Sequence, residues 1–478
     1  MKYKNIIFKN IVIFAVIFVY TATYVYGQNK ELSMNLKIKE PSVAGTFYSS
    51  DKNELEKQIS EFKKNSSNQY KTPTRAVIVP HAGLVYSGRL AYEGISQLNK
   101  NVKNIFIFAP AHRVAIDGIG VTGYDEWKTP LGKISINKEI TKNLVLKYGA
   151  KVQDEALAPE HAIEVEIPFI QTVFKDVKII PVLMGNVDPN KIYKIISDYY
   201  KNPQNGFIIS SDLSHYLPDT TAKKVDLYTA MHIESNDETN FTHELACGAT
   251  GILGLMKFAR QNNYTLIRID MTNSGSATFD KERVVGYGTW FLFEGKRDTF
   301  IKNNYSDFIL NLCKKSISDS SLKADDIVYP QVLSEYGATF VTLEKNNRLR
   351  GCIGSIIPRQ SIIEDIISNS RSAAYKDPRF NPIEQSEIKD LTVAVSLLSI
   401  PTAMSFKDEE DLLHQIRQNI DGLIIKDGNY QAVYLPSVWE QITDKREFLN
   451  SLKVKAGLAP THFSKNFEAY RFETTYLK

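Results

Sequence analysis

Three apolar runs of this chain end on residues that bind metals or move protons. "RAVIVPHAG" leads to His81, "NIFIFAPAHR" to His112, and "GFIISSDLSHY" to Asp212 and His215. Neutral imidazole is the commonest side-chain ligand of transition metals, and it exchanges protons near pH 7. Two or three such rings meeting in one cleft form a metal site, whereas each alone only hydrogen-bonds in its loop. "THELACGATGILGL" adds His243, Glu244 and Cys247 ahead of a small-residue helical run. Cys247 is either an inert core thiol or a thiolate ligand, and a thiolate with two imidazoles suits iron(II), zinc or copper. "APEHAIEVEIPF" offers Glu160, His161 and Glu164, with positions 160 and 164 on one helical face. The alternative for that acidic patch is a solvated helix start.

What must position these residues is an alternation of strands and helices. From Pro41 to about Gly295, strands such as "RAVIV", "NIFIFA", "VKIIPVLM" and "FIISS" alternate with helical patterns such as "GRLAYEGISQLNK", "EVEIPFIQTVF" and "NKIYKIISDYYK". Near-continuous apolar strands separated by helices predict a mostly parallel sheet flanked by helices. In open α/β sheets, ligands collect outside the carboxyl ends of the strands. His81, His112, Asp212 and His215 each follow a strand, so a shared sheet brings them to one rim.

The charged turn "EGKRDT" at 294–299 predicts a junction, and the remainder reads as a second, α+β domain with a mainly antiparallel sheet. In "LRGCIGSI", Gly351 and Gly354 surround Cys352. They suit a strand or turn that something approaches closely, or they serve only the bend. Arg350 next to Cys352 predicts an activated thiol, and "KDPRF" adds Lys376, Asp377 and Arg379, equally consistent with a salt-bridged turn.

The 478 residues exceed one ordinary core and predict two or three domains. With 58 basic and 54 acidic side chains, the net charge of +4 is too mild to imply nucleic acid or an anionic membrane surface. No dense basic stripe with interleaved aromatics argues for nucleic acid either. Three cysteines in unrelated contexts give no disulfide framework. Residues 1–27 carry a basic start, an apolar run "IVIFAVIFVY" and a cleavage position after Gly27, which predicts a signal peptide or an N-terminal anchor, the alternative being a cytoplasmic chain with a misleading start. Residues 28–40 read as an exposed lead-in.

The stretches "PSVAGTFY", "VPHAGLVYSG", "APAHR", "EHAIEVEIPF", "IPVLMG", "SSDLSHY", "ACGATGI" and "VVGYG" together resemble the Memo family, protein B of the AmmeMemoRadiSam system, giving a Memo-like domain over 41–295. That resemblance implies a fold like the class III (LigB-type) extradiol dioxygenases. It implies one transition-metal ion, iron ahead of copper or zinc, on His81, His112 and Cys247. Asp212 and His215 match the family's further cleft residues, His215 placed as acid/base with Asp212 as its orienting partner, and Glu160, His161 and Glu164 stand as additional cleft candidates from the residues themselves. A thiolate in place of the dioxygenase carboxylate is a softer and itself oxidisable donor, so a non-catalytic metal-binding or peptide-binding adaptor stands beside the oxidoreductase reading.

"LRGCIGSI", "AYKDPRF", "KAGLAP" and "YRF" resemble the AMMECR-type domain, protein A of the same system, over 301–475. Arg350, Gly351, Cys352 and Gly354 form its signature. The pairing implies a radical SAM partner by family association but no settled chemistry; the expectation is that this domain binds or presents a small-molecule or peptide substrate.

Overall fold

The computed structural model describes residues 36–66 and 72–478. The signal peptide or anchor expected over 1–27, and most of the lead-in, lie outside the described residues. Among the described residues, no helix is long and apolar enough to cross a membrane. The chain divides into two compact units. The first takes in residues up to Phe258 together with Asp270–Leu292, and the second comprises Ala259–Ile269 and Phe293–Lys478. The sequence pattern places the junction at 294–299; the contacts move it to 292/293 and assign 259–269 to the second unit.

The first twelve strands are β1 (Ile38–Lys39), β2 (Ala76–Val79), β3 (Asn104–Pro110), β4 (Ile119–Val121), β5 (Glu126–Thr129), β6 (Gly132–Ser135), β7 (Lys151–Val152), β8 (Lys178–Met184), β9 (Asn205–Ser210), β10 (His215–Leu217), β11 (Thr265–Asn273) and β12 (Val284–Phe293). Among the described residues the main sheet runs β10-β12-β2-β9-β3-β8-β4-β7, with β11 beside β12. Its centre, β2-β9-β3-β8, is parallel. Toward the edges, β12 and β10 on one side and β4 on the other join antiparallel. The sheet is therefore mixed around a parallel centre. The reason for that centre is composition: Ala76–Val79 and Ile105–Ala109 are fully buried, as strands covered on both faces require.

Register levels the carboxyl ends. Val79 pairs with Ser210, and Phe108 with Ile209. His81, Asp212 and His112 lie just beyond those ends, on three adjacent strands. His215 differs from expectation. It opens its own short strand, paired antiparallel with Val285. The helix expected through "EVEIPFIQTVF" is broken into His161–Glu164 and Ile167–Val173. Pro168 sits in the first turn of the latter, where its missing N–H costs nothing.

The second unit adds β13 (Tyr336–Lys345), β14 (Arg348–Gly354), β15 (Gln360–Ser361), β16 (Leu391–Leu398), β17 (Thr402–Ala403), β18 (Gly422–Asp427), β19 (Tyr430–Tyr434), β20 (Glu468–Phe472) and β21 (Thr474–Leu477). One sheet runs β14-β13-β16-β21 with β15 beside β13, and another runs β17-β20-β18-β19. Every pairing in both is antiparallel. Ala338, Leu398, Ile424 and Phe472 pack the two sheets together.

Candidate metal centre

Each candidate ligand in the first unit has a local reason for its place. His81 follows β2 through Pro80, and its ring is almost wholly buried. The Asp212 carboxylate accepts the His81 backbone N–H at 2.9 Å, fixing the turn. Ser210 Oγ stands 2.8 Å from His81 Nδ1. His112 is held by Glu160, which accepts its backbone N–H at 2.6 Å and its ring Nδ1–H at 3.0 Å. Glu160 also accepts the Ala162 N–H at 3.0 Å as the cap of the helix His161–Glu164. That helix start delivers the third ring, His161, whose Nδ1 is 3.1 Å from Glu160 Oε1.

One ring nitrogen from each of His81, His112 and His161 lies within 4.8 Å of the other two. The ring centroids stand 5.0, 5.5 and 4.8 Å apart. With Nδ1 of His81 and of His112 engaged by a hydroxyl and a carboxylate, Nε2 is the nitrogen that each turns to the cleft, that of His81 toward the Cys247 thiol. Such outer partners are how proteins orient metal-bound histidines. Burial, with the neighbouring His112 and His161 adding to it, drives the His81 pKa well below its ordinary value, so its ring is neutral and able to ligate. Burial opposes the charge on Glu160. The hydrogen bonds from His112 and the Ala162 N–H, with the His161 ring close by, outweigh it and hold its carboxyl far below the usual range. The donor set fits a transition-metal ion.

Cys247, expected as the third ligand, adjoins the group through His81. Its Sγ is 3.3 Å from His81 Nε2 and accepts the Asp212 backbone N–H at 3.2 Å. Burial, and then the Asp212 carboxylate, push the thiol up to about 12. His161, expected only as a cleft residue, is the third member of the imidazole group. His243 turns instead to the Cys247 carbonyl and Thr250, and Glu244 is exposed.

Two expectations need correction. Glu160 and Glu164 are not a solvated helix start, since both are buried. Nor do they share one task. Glu164 turns to the chain's N-terminal segment, accepting from Lys39 Nζ at 2.6 Å, Ser42 Oγ at 2.7 Å, Val43 N at 2.9 Å and Tyr48 Oη at 2.8 Å. Asp212 also differs in role: its carboxylate holds the His81 turn rather than the His215 ring. Burial lifts its acid to about 7, against the hydrogen bonds from His81 and Ala82. His215 is half-buried at the same rim, and burial lowers its pKa, with His112 nearby contributing.

Sequence reasoning missed Ser210, whose hydroxyl meets His81 Nδ1, and Glu166, whose Oε1 stands 2.9 Å from that hydroxyl. Both lie inside quoted motifs, yet nothing in "EVEIPF" or "SSDLSH" marks which residue reaches behind His81.

In the second unit, Arg350 does not serve Cys352. It pairs with Glu387 at 3.1 Å and donates to the Asn381 carbonyl at 2.8 Å, because β14 shifts register beside it. Arg379 is the cation beside Cys352, donating to its carbonyl at 3.2 Å and bound to Asp377 at 2.7 Å. Asp377 in turn accepts the Cys352 N–H at 2.8 Å. The thiol sits 3.3 Å from Thr342 Oγ1, facing a cavity of about 660 Å³ lined also by Phe340, Ser396 and Trp439. Gly351 and Gly354 are there for close approach: an added Cβ would stand 2.1 Å from the Ala373 carbonyl and 2.3 Å from the Phe340 ring, respectively.

Comparison with known proteins accords with this division. A model of the Memo family, described as Memo-like protein, matches residues 39–291, and an AMMECR1 model matches 310–477. A MEMO1 family protein of Thermoplasma volcanium is 33% identical over 262 residues, 53% of this chain and 97% of that protein. One from Aquifex aeolicus is 32% identical over 268 residues, 53% of this chain and 98% of its own length. Among solved structures, an uncharacterized protein from Pyrococcus horikoshii is 31% identical, covering 36% of this chain and 89% of that one, with a TM-score of 0.32. With its first unit so matched over half its length and an AMMECR1 domain following, the chain belongs to the Memo family.

Proposed function

We propose that the first unit is a metal-dependent enzyme in which His81, His112 and His161, with the Cys247 thiol alongside, hold one transition-metal ion. The observation that carries this reading is the convergence of three ring nitrogens within 4.8 Å, two of them on rings fixed from behind. An ion there supplies a Lewis-acid or redox centre. Glu160 orients His112 and lends it negative charge, and Asp212 keeps the His81 turn in place. His215, neutral through burial, takes up and returns a proton at the rim.

The dioxygenase-like fold implied by the motifs supports a redox version with iron ahead of copper or zinc. The substrate is a small molecule or peptide, presented by the AMMECR1 domain at the Cys352 cavity, and the family's place in the AmmeMemoRadiSam system supports a radical SAM partner. The signal-like residues 1–27 support export or anchoring.

The test is metal content. Protein purified without an affinity tag is expected to carry near one metal per chain, lost in His112→Ala. Comparing His161→Ala with Cys247→Ala identifies the third ligand. Iron directs assays to O2 uptake, and zinc to hydrolysis. No metal after anaerobic reconstitution overturns the reading and favours a non-catalytic peptide-binding cleft.

A further inference from the structure

Three groups surround the hydroxyl of Ser210. His81 Nδ1 and the Ala162 carbonyl oxygen are each 2.8 Å away, and Glu166 Oε1 is 2.9 Å away. Ser210 and Glu166 are both fully buried. A hydroxyl has one proton and two lone pairs. The Ala162 carbonyl can only accept, so the Ser210 proton serves it. Both lone pairs of Ser210 then call for donors, and the only groups left among the described residues are His81 Nδ1–H and a protonated Glu166. The other tautomer of His81 would take that single proton away from Ala162.

The surroundings of Glu166 agree. Its Oε2 has no hydrogen-bond partner, and no cation pairs with it among the described residues. A buried carboxylate without a partner is costly and neutralises instead. Burial lifts this acid well above its ordinary value despite the Ser210 hydrogen bond, and the Asp212 charge adds to the rise.

We propose that Glu166 is a neutral carboxylic acid that donates to Ser210 and thereby holds His81 as the Nδ1–H tautomer, presenting its Nε2 lone pair to the cleft. Glu166 is a positioning residue, acting through Ser210. The use of that lone pair for an ion rests on the metal reading above; the tautomer itself does not.

The experiment uses the full chain without metal. The infrared difference spectrum of wild type minus Glu166→Gln at neutral pH, in which the band of the partly protonated Asp212 cancels, should show a carboxylic-acid C=O band. The 15N shifts of His81 should report Nδ1–H in the wild type. They should report it again in Glu166→Gln, whose amide still donates, and mixed tautomers in Glu166→Leu and Ser210→Ala. Zinc affinity should stay within about threefold in Glu166→Gln and fall about 10–100-fold in Ser210→Ala. An Nε2–H ring in the wild type, or an acid band untouched by Glu166→Gln, overturns the proposal. Those two measurements decide it even if Ser210→Ala fails to fold. An Nδ1–H ring in a protein that takes up neither zinc, copper nor, under anaerobic reconstitution, iron supports the proposal while sinking the metal reading.

Discussion

Glu160 grips His112 twice, by its backbone N–H and by its ring, with no exposed surface of its own. One side chain thus fixes both where the histidine stands and which nitrogen it offers. Glu160→Ala should lower metal affinity about 10–100-fold and remove a helix cap worth about 1 kcal/mol. Competition against a chromophoric chelator measures the first effect and thermal unfolding the second. Unchanged affinity would show that His112 needs no such support.

Glu164 should govern acid stability. Burial disfavours its charge, but Lys39 and the hydrogen bonds of residues 42–43 more than compensate and leave its pKa lowered. A carboxyl depressed on folding contributes stability above its unfolded pKa and loses it as pH falls through the folded one. Glu164→Gln should therefore cost about 3–5 kcal/mol at pH 7, because it leaves Lys39 buried without its partner. Denaturant titrations should show that penalty shrinking as pH is lowered below about 4. A penalty independent of pH would rule out the ion pair as its source.

The three thiols should separate by reactivity. Cys352 is half-buried and faces a cavity, so it should alkylate first. Cys247 should follow slowly, its thiol pushed up by burial and Asp212. Cys313, fully buried and pushed up to about 12 by burial, should react only on unfolding. Peptide mass spectrometry resolves the order, and added zinc should slow Cys247 alone. Protection of Cys352 by zinc would contradict the assignment of the ion to the first unit.

Gly351→Ala should destabilise the second unit by about 2–3 kcal/mol, since the new methyl meets the Ala373 carbonyl of the helix Ile362–Tyr375. Proteolysis confined to residues 293–478, with the first unit resistant, is the expected readout. An unaltered digestion rate would mean that strand and helix can part at no cost.

Much of the site was legible because strands announce themselves. "RAVIV", "NIFIFA" and "FIISS" are apolar enough to be buried strands, and the residues just beyond the carboxyl end of such a strand lie on a ligand-binding rim. That rule accounts for His81, His112 and Asp212. Roles were harder to read than places. His161 and Glu164 share one short motif, yet one faces the imidazole group and the other faces residues 39–48, a pairing across more than 110 positions that no local pattern encodes. Arg350 departs from expectation for a different reason: one register shift in β14 carries it to Glu387, and Arg379, 27 residues beyond Cys352, takes the place beside the thiol. His215 had the right neighbours but the wrong strand logic, because an antiparallel edge was not distinguishable from a parallel one by composition alone.

The clasp of residues 39–48 on Glu164 has a practical consequence for anyone dissecting the chain. A fragment begun at Pro41, where the motifs first become recognisable, discards Lys39 and leaves the buried Glu164 carboxylate with hydrogen bonds but no cation. Phe47, on the same segment, packs its ring 4.6 Å from that of His161. Losing Lys39 thus loosens the segment that carries Phe47 and the helix His161–Glu164 that it clasps, and loss of metal in such a fragment would report the missing ion pair, not a missing ligand.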